Sequence, residues 1–342
     1  MRPGVRVLAL LVLLASLLPP AAAEGLQHLS GKTMGTTWQA TVVADAADAD
    51  RLRDGIQAAL DEVVDEMSTW EADSDISRFN RAPPGTVQVM PAGFFEVLQA
   101  ATALSADTGG AYDATVGPLV NLWGFGPDGA RDAPPSEAEI EQVRLRTGWQ
   151  KLVLDAPSHS ATQPGGLHVD LSSIAKGHGV DRAAATLERA GIRAYLLEVG
   201  GELRGRGRKP DGAQWRVAIE HPAPSDGADA PRMSDIVIAL DDLAVATSGD
   251  YRHFFESGGR RYSHTLDPRT GRPVTHDLAS VTVLHEAAMQ ADGWATALTV
   301  LGPEAGWRHA LRNDLAALFV SHDGSTFSTR MTPAFMRHLA AP

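Results

Sequence analysis

An almost unbroken apolar run, Val7 to Leu18, stands at the start of the chain and limits what the rest can become. Arg2 and Arg6 lie around its beginning, and Ala21-Ala22-Ala23 follow it before Glu24. A short basic start, an apolar stretch and small residues together form the pattern of a secretory signal peptide. The run is too short to cross a bilayer as a permanent helix. No later stretch reaches the roughly 18 apolar residues that a membrane helix needs. The expectation is therefore a signal peptide over residues 1–23, cleaved near Ala23, and a single functional domain over residues 24–342. That domain is expected to be soluble and exported, with a bacterial periplasm as its destination and no transmembrane segment in the mature chain.

Removing residues 1–23 leaves 319 of the 342, enough for a sizeable core in one large domain or two interlocked ones. The formal charge of −12 becomes −14 once Arg2 and Arg6 are gone. So acidic a surface repels nucleic acid and anionic lipid, and no nucleic-acid partner is expected. It does not exclude a small anionic ligand, because a metal ion and local backbone donors can reverse the field inside one cleft. Cysteine is absent, which rules out disulfides, thiolate metal sites, a cysteine nucleophile and a lipid anchor on cysteine.

Apolar spacing predicts helices over Asp50–Met67, Pro91–Thr108, Pro135–Arg146 with Ser136 as its N-cap, Ala175–Ala190 and Ala291–Leu301, the last closed by Gly302. It predicts strands at Trp38–Val43, Leu152–Leu154, Leu167–Leu171, Tyr195–Val199, Trp215–Glu220, Ile236–Leu240, Ala244–Thr247 and Val281–Leu284. Gly126–Pro135 and Ala223–Pro231 read as surface loops. Strands and helices mix without the alternation of a doubly wound sheet, and no G-x-G-x-x-G follows a first strand, so a Rossmann domain is not expected. The class is α+β.

Five segments combine glycine, a hydroxyl or carboxylate, and an apolar frame. Met34-Gly35-Thr36-Thr37 is a turn whose backbone N–H groups can approach an anion. Gly109 to Pro118 ends a helix and places Tyr112 and Asp113 in a tight turn, where they could face a ring or ribose. Asp170-Leu171-Ser172-Ser173 leads into a helix start. That start is either an ordinary N-cap by one of the serines or a phosphate site favoured by Lys176 and Gly177. Thr247 to Arg252 and Tyr262 to Gly271 enclose His264, a candidate acid or base, beside the turn Asp267–Gly271. Asp292 and Thr296 are four apart on one helix face, a carboxylate and a hydroxyl suited to magnesium completed by substrate phosphates, or else a solvent-facing polar pair.

Taken together, Met34-Gly35-Thr36, STWEADSDISRFN, GGAYDATVGPLVNLWGFG, VDLSSIAKGHGVD, ATSGDYRHFF, SHTLDPRTGRPV and ADGWATALTVLG resemble the FAD:protein FMN transferase (ApbE-like) family. These seven motifs come in family order and span residues 34 to 302. The resemblance implies a mixed fold built on antiparallel sheets. It implies FAD contacts by Met34, Trp70, Ala111, Tyr112, Asp113, Asp170, Lys176 and Leu266, with Trp70 near the flavin ring. Mg2+ would lie on Ser173, Asp292 and Thr296, and His264 would be linked to transfer. The implied acceptor is a Thr or Ser of a flavoprotein subunit, often in a membrane-bound electron-transfer complex. The chain departs from the family in lacking a lipid-modified cysteine, in Thr265-Leu266, and in Gly293. A glycine at that position is expected to loosen the metal helix by about 1 kcal/mol.

These residues support a phosphoryl transfer from the FAD pyrophosphate, with His264 taking or orienting the acceptor proton and Asp267 in reserve. Three other readings use the same residues differently. They are a metal-dependent FAD pyrophosphatase with water as acceptor, a flavin carrier without catalysis, and a structural exported protein that binds no flavin.

Overall fold

In a computed structural model that describes residues 25–221, 232–249, 254–324 and 326–340, one eight-stranded sheet runs through the chain in sequence order. Its strands are Gly25–Thr33, Thr36–Ala44, Tyr195–Val199, Glu202–Arg206, Leu243–Gly249, Leu278–His285, Ala316–Asp323 and Thr326–Met331, and every neighbouring pair is antiparallel. Alternation produces this. Trp38, Ala40, Val42 and Ala44 are buried on one side of the second strand, while the residues between them are not.

The helices are α1 (Ala49–Met67), α2 (Asp75–Arg81), α3 (Ala92–Asp107), α4 (Gly117–Leu122), α5 (Glu137–Arg144), α6 (Ala175–Arg189), α7 (Ala288–Arg312) and α8 (Pro333–Met336). The first six fall in one long connection between the second and third strands, and α7 crosses between the sixth and seventh. Helices α1 and α6 pack on the sheet through Ile56, Leu60, Val180, Ala183 and Leu187 against Trp38, Val42, Tyr195 and Leu197. A strand pair, Trp215–His221 with Arg232–Leu240, supplies a separate apolar cluster with Leu318 and Phe335. The mixed α and β class built on antiparallel sheets is as expected. Among the described residues no helix is long and apolar enough to cross a membrane.

Several local predictions carry over. Ser136 and Glu139 form a reciprocal capping box at α5. Gly302, at φ 82°, interrupts α7 where the predicted helix ends, and Pro303 starts a second helical stretch. One prediction fails. Leu167–Leu171 has the buried alternation of a strand but pairs with none; Asn80 instead takes its backbone bonds, accepting from the Val169 N–H at 2.7 Å and donating to its carbonyl at 2.9 Å. An amide side chain there does the work of a neighbouring strand. The predicted loop Ala223–Pro231, Asp250–Arg252 and the leader lie outside the described residues.

Candidate active site

The first turns of α6 and α7 meet. Gly177 donates its backbone N–H to Asp292 Oδ2 at 3.0 Å, so a carboxylate of one helix satisfies a free amide at the start of the other. The approach depends on glycine. A Cβ on residue 177 would lie 2.3 Å from the Ala288 carbonyl oxygen and 2.8 Å from Asp292 Cβ. Asp181, one turn further along α6, caps α7 in return: its Oδ1 accepts from the Ala288 N–H at 3.0 Å and its Oδ2 from Met289 at 2.9 Å. Arg204 of the fourth strand binds the same carboxylate at 2.8 Å. Thus α6, α7 and the sheet are fixed to one another at this point.

Neither serine caps α6. Ile174 holds the N-cap position without a side-chain bond. Asp170 folds back to accept from the Ser172 N–H at 2.9 Å and from its hydroxyl, while Ser173 donates to the Tyr112 hydroxyl at 3.0 Å. The expected helix-start phosphate site is therefore changed in character, because one of its N–H donors is already on Asp292. Lys176 lies beside it, its ammonium paired with Glu202 Oε1.

This cluster is buried and anionic. Asp292 is 5% exposed, and burial raises its pKa while Lys176 and the Gly177 amide pull it down. Glu202 is 2% exposed and is likewise raised by burial, against the pull of Lys176 and with the push of Asp292. The Tyr112 phenol is raised by burial, opposed by its Ser173 bond and reinforced by the charges of Asp292, Asp170 and Asp113. Tyr112, Asp170, Ser173, Lys176 and Asp292 thus belong to one electrostatic neighbourhood. Thr296 follows one turn after Asp292 on α7 and is partly buried.

Gly293 is not the weak point that its helix propensity suggests. A Cβ there would stand 2.8 Å from Leu104 Cδ2 of α3 and 3.3 Å from Ile174 Cδ1. The missing side chain is what lets the helix seat against its neighbours.

The remaining expected flavin contacts are placed as follows. Met34 has φ 48° in the hairpin Met34-Gly35, a conformation rare for a residue with a side chain, and it packs between two core clusters. Trp70 is 68% exposed after α1, so its ring is free of the core. Ala111 and Tyr112 are buried. Asp113 serves its own turn: it accepts from the Thr115 N–H and hydroxyl at 2.8 and 2.7 Å and from the Trp149 N–H at 3.0 Å. Burial raises its pKa and those bonds lower it.

His264 and Leu266 form a second group. Leu266 is buried with Leu119, Trp123 and Ile140, and His264 meets the Phe125 ring edge-on at 6.3 Å between centroids. Asp267 grips Arg269 through both oxygens, at 2.9 Å to Nε and 2.9 Å to a terminal nitrogen, and also accepts the Arg269 N–H. Both oxygens of Asp267 are thus engaged by the side chain and backbone of its own turn. The group borders the Gly109–Asp113 turn, since a Cβ on Gly110 would lie 3.9 Å from Arg269 Cγ. A surface pocket opens between them, lined by Gly110, Asp113, Arg144, Thr147, Trp149 and Arg269.

Residues 34–319 match the ApbE family. The chain belongs to the ApbE family. The ApbE match is supported along the whole length: the FAD:protein FMN transferase of Vibrio cholerae serotype O1 is 42% identical over 342 residues, covering 99% of this chain and 100% of that protein. The apo flavinyl transferase ApbE of Pseudomonas stutzeri superposes with a TM-score of 0.84 at 42% identity, covering 93% of this chain and 98% of that one. The ApbE protein of Thermotoga maritima gives 0.80 at 28% identity, covering 92% and 100%. Within this ApbE-family chain, Glu202 and Asp181 are the charged members of the α6–α7 cluster that sequence reading passed over. The one signal for Glu202 is a carboxylate opening a strand directly after Gly200-Gly201.

Proposed function

We propose that this chain is a FAD:protein FMN transferase, cleaving FAD and attaching FMN through a phosphoester to a Thr or Ser hydroxyl of an acceptor flavoprotein, with release of AMP. The observation that carries the reading is the meeting of α6 and α7 at Gly177 and Asp292, with Ser173 bonded to buried Tyr112 and Lys176 paired with Glu202 alongside. In the reaction the acceptor oxygen forms a bond to the FMN phosphorus, the bond from that phosphorus to the AMP oxygen breaks, and the hydroxyl proton leaves to a base. His264 is the residue assigned to that proton. Lys176 offers an ammonium to the pyrophosphate, Trp70 an exposed aromatic face to the flavin, and Met34 a rigid turn beside α6.

Asp292, Thr296 and Ser173 would hold Mg2+. A buried carboxylate with two hydroxyls is a hard oxygen set, which suits that ion. Among the described residues no group of three or more His, Asp or Glu is placed to hold a metal by itself. Substrate phosphates and water would then complete the ligand set, as is usual for magnesium. Bound magnesium would supply charge neutralisation on the phosphates. We assign the chain to an exported compartment on its leader, and the acceptor to a flavoprotein subunit of a membrane electron-transfer complex.

The test is to incubate the protein with FAD, Mg2+ and a candidate acceptor domain and to weigh the acceptor. A gain equal to FMN minus water supports transfer. Free FMN and AMP with an unlabelled acceptor would make the chain a pyrophosphatase instead.

A further inference from the structure

Resting on the reading of Asp292 as the metal carboxylate, we propose that Glu202 is a positioning residue that holds the Lys176 ammonium away from Asp292 and so keeps that carboxylate open to a cation. Lys176 is acted on by two buried carboxylates. It donates to Glu202 Oε1, and it also interacts electrostatically with Asp292. The second oxygen of Glu202 is buried without a partner among the described residues. Glu202 therefore stays in an unfavourable setting, with Lys176 as its compensation.

The backbone around it serves this pairing. Gly200 and Gly201, at φ 59° and 108°, turn the chain so that Glu202 opens its strand facing α6. A Cβ on Gly200 would sit 2.8 Å from Thr36 Cγ2, so the bare turn lets the chain pass against the second strand, with the Lys176 stem in ordinary contact beside it. The Lys176 side chain is 32% exposed, so its ammonium is partly solvated and is drawn to whichever buried carboxylate keeps its charge beside it. Without the charge on Glu202, Asp292 is a buried carboxylate that still acts on Lys176. A lysine settled there would occupy the oxygen that a divalent cation requires.

The pairing is tested by titrating Mn2+ into acceptor-free protein saturated with FAD, following the free ion by its EPR signal and checking saturation by flavin fluorescence. Glu202→Gln is expected to weaken Mn2+ binding by about tenfold or more. Adding Lys176→Met to Glu202→Gln is expected to restore the Mn2+ affinity, because no ammonium remains to cover Asp292. Glu202→Asp, which keeps the charge on a shorter arm, is expected to fall between Glu202→Gln and the parent. Unchanged Mn2+ affinity in Glu202→Gln overturns the inference. So does a double variant no better than Glu202→Gln, or a drop in thermal midpoint with Mn2+ binding intact. If Asp292→Ala binds Mn2+ like the parent, the metal assignment itself fails and the inference goes with it.

Discussion

The backbone N–H of Gly177 donates to Asp292 Oδ2 across 3.0 Å, joining the start of one helix to the start of another. Asp292 therefore has a structural bond as well as a proposed metal, and its replacement has two separable effects. Asp292→Ala is expected to lower turnover by at least about 100-fold, since several kcal/mol of charge stabilisation disappear. FAD affinity should fall less. Steady-state transfer and flavin binding, measured side by side, check this; full turnover in the variant would place the metal elsewhere.

Trp70 stands 68% exposed, an unusual position for so large a ring. Trp70→Ala is expected to weaken FAD binding by about tenfold, the scale of one aromatic contact and its area. Thermal stability should hardly change. Quenching of tryptophan fluorescence by FAD, lost in the variant, is the direct measurement.

His264→Asn keeps a hydrogen-bonding side chain but removes the proton acceptor. Turnover at saturating FAD is expected to drop by about 10²–10⁴-fold, while FAD still binds. Asp267→Asn should disturb the Arg269 turn and leave most of the turnover. The reverse pattern would exchange the two roles.

Gly293→Ala opposes two principles. Helix propensity favours alanine by about 1 kcal/mol. The contact with Leu104, 2.8 Å from the new Cβ, opposes it. Overpacking of this kind costs about 1–3 kcal/mol, so the variant is expected to be less stable than the parent by urea unfolding. A more stable variant would show that α3 yields freely.

His178 of α6 is buried, and burial, with Arg182 nearby, lowers its pKa from 6.5 to about 4. An unfolded chain binds this proton more readily than the folded one. The stability it contributes is therefore complete above pH 6.5 and is lost as pH falls towards 4, by about 3 kcal/mol in all. Unfolding free energies across that window should show a shallower acid slope in His178→Gln. Equal slopes would assign the acid sensitivity to other groups.

Periodicity made the five longer helices and four strands of the large sheet legible in the sequence, but not the strands Gly25–Thr33, Glu202–Arg206, Ala316–Asp323 and Thr326–Met331 or the short helices α2, α4 and α8. The ends of α1 and α3 fall within a residue of the apolar pattern, and Ser136 caps α5 as its spacing implies. The site was legible as a set of residue types at motif positions, but its wiring was not. Nothing local to Asp292 reveals that its partner is an amide 115 residues away. Asp113 and Asp267 have the composition of ligand-facing acids, and only the fold shows each one holding its own turn. Leu167–Leu171 misled for a similar reason, because a buried extended segment has the pattern of a strand whatever satisfies its backbone.

The long excursion between the second and third strands carries Tyr112, Ser173 and Lys176, whereas Asp292 arrives only with the crossing between the sixth and seventh. The cluster is thus complete only when both stretches are docked. A molecule that has docked one of these stretches without the other has half an address for a nucleotide and no use for it. A ligand held by both can act only on the finished molecule, and mass action then draws the population towards completion. On the proposed reading, flavin would be both the material the protein handles and a stabiliser of the finished fold.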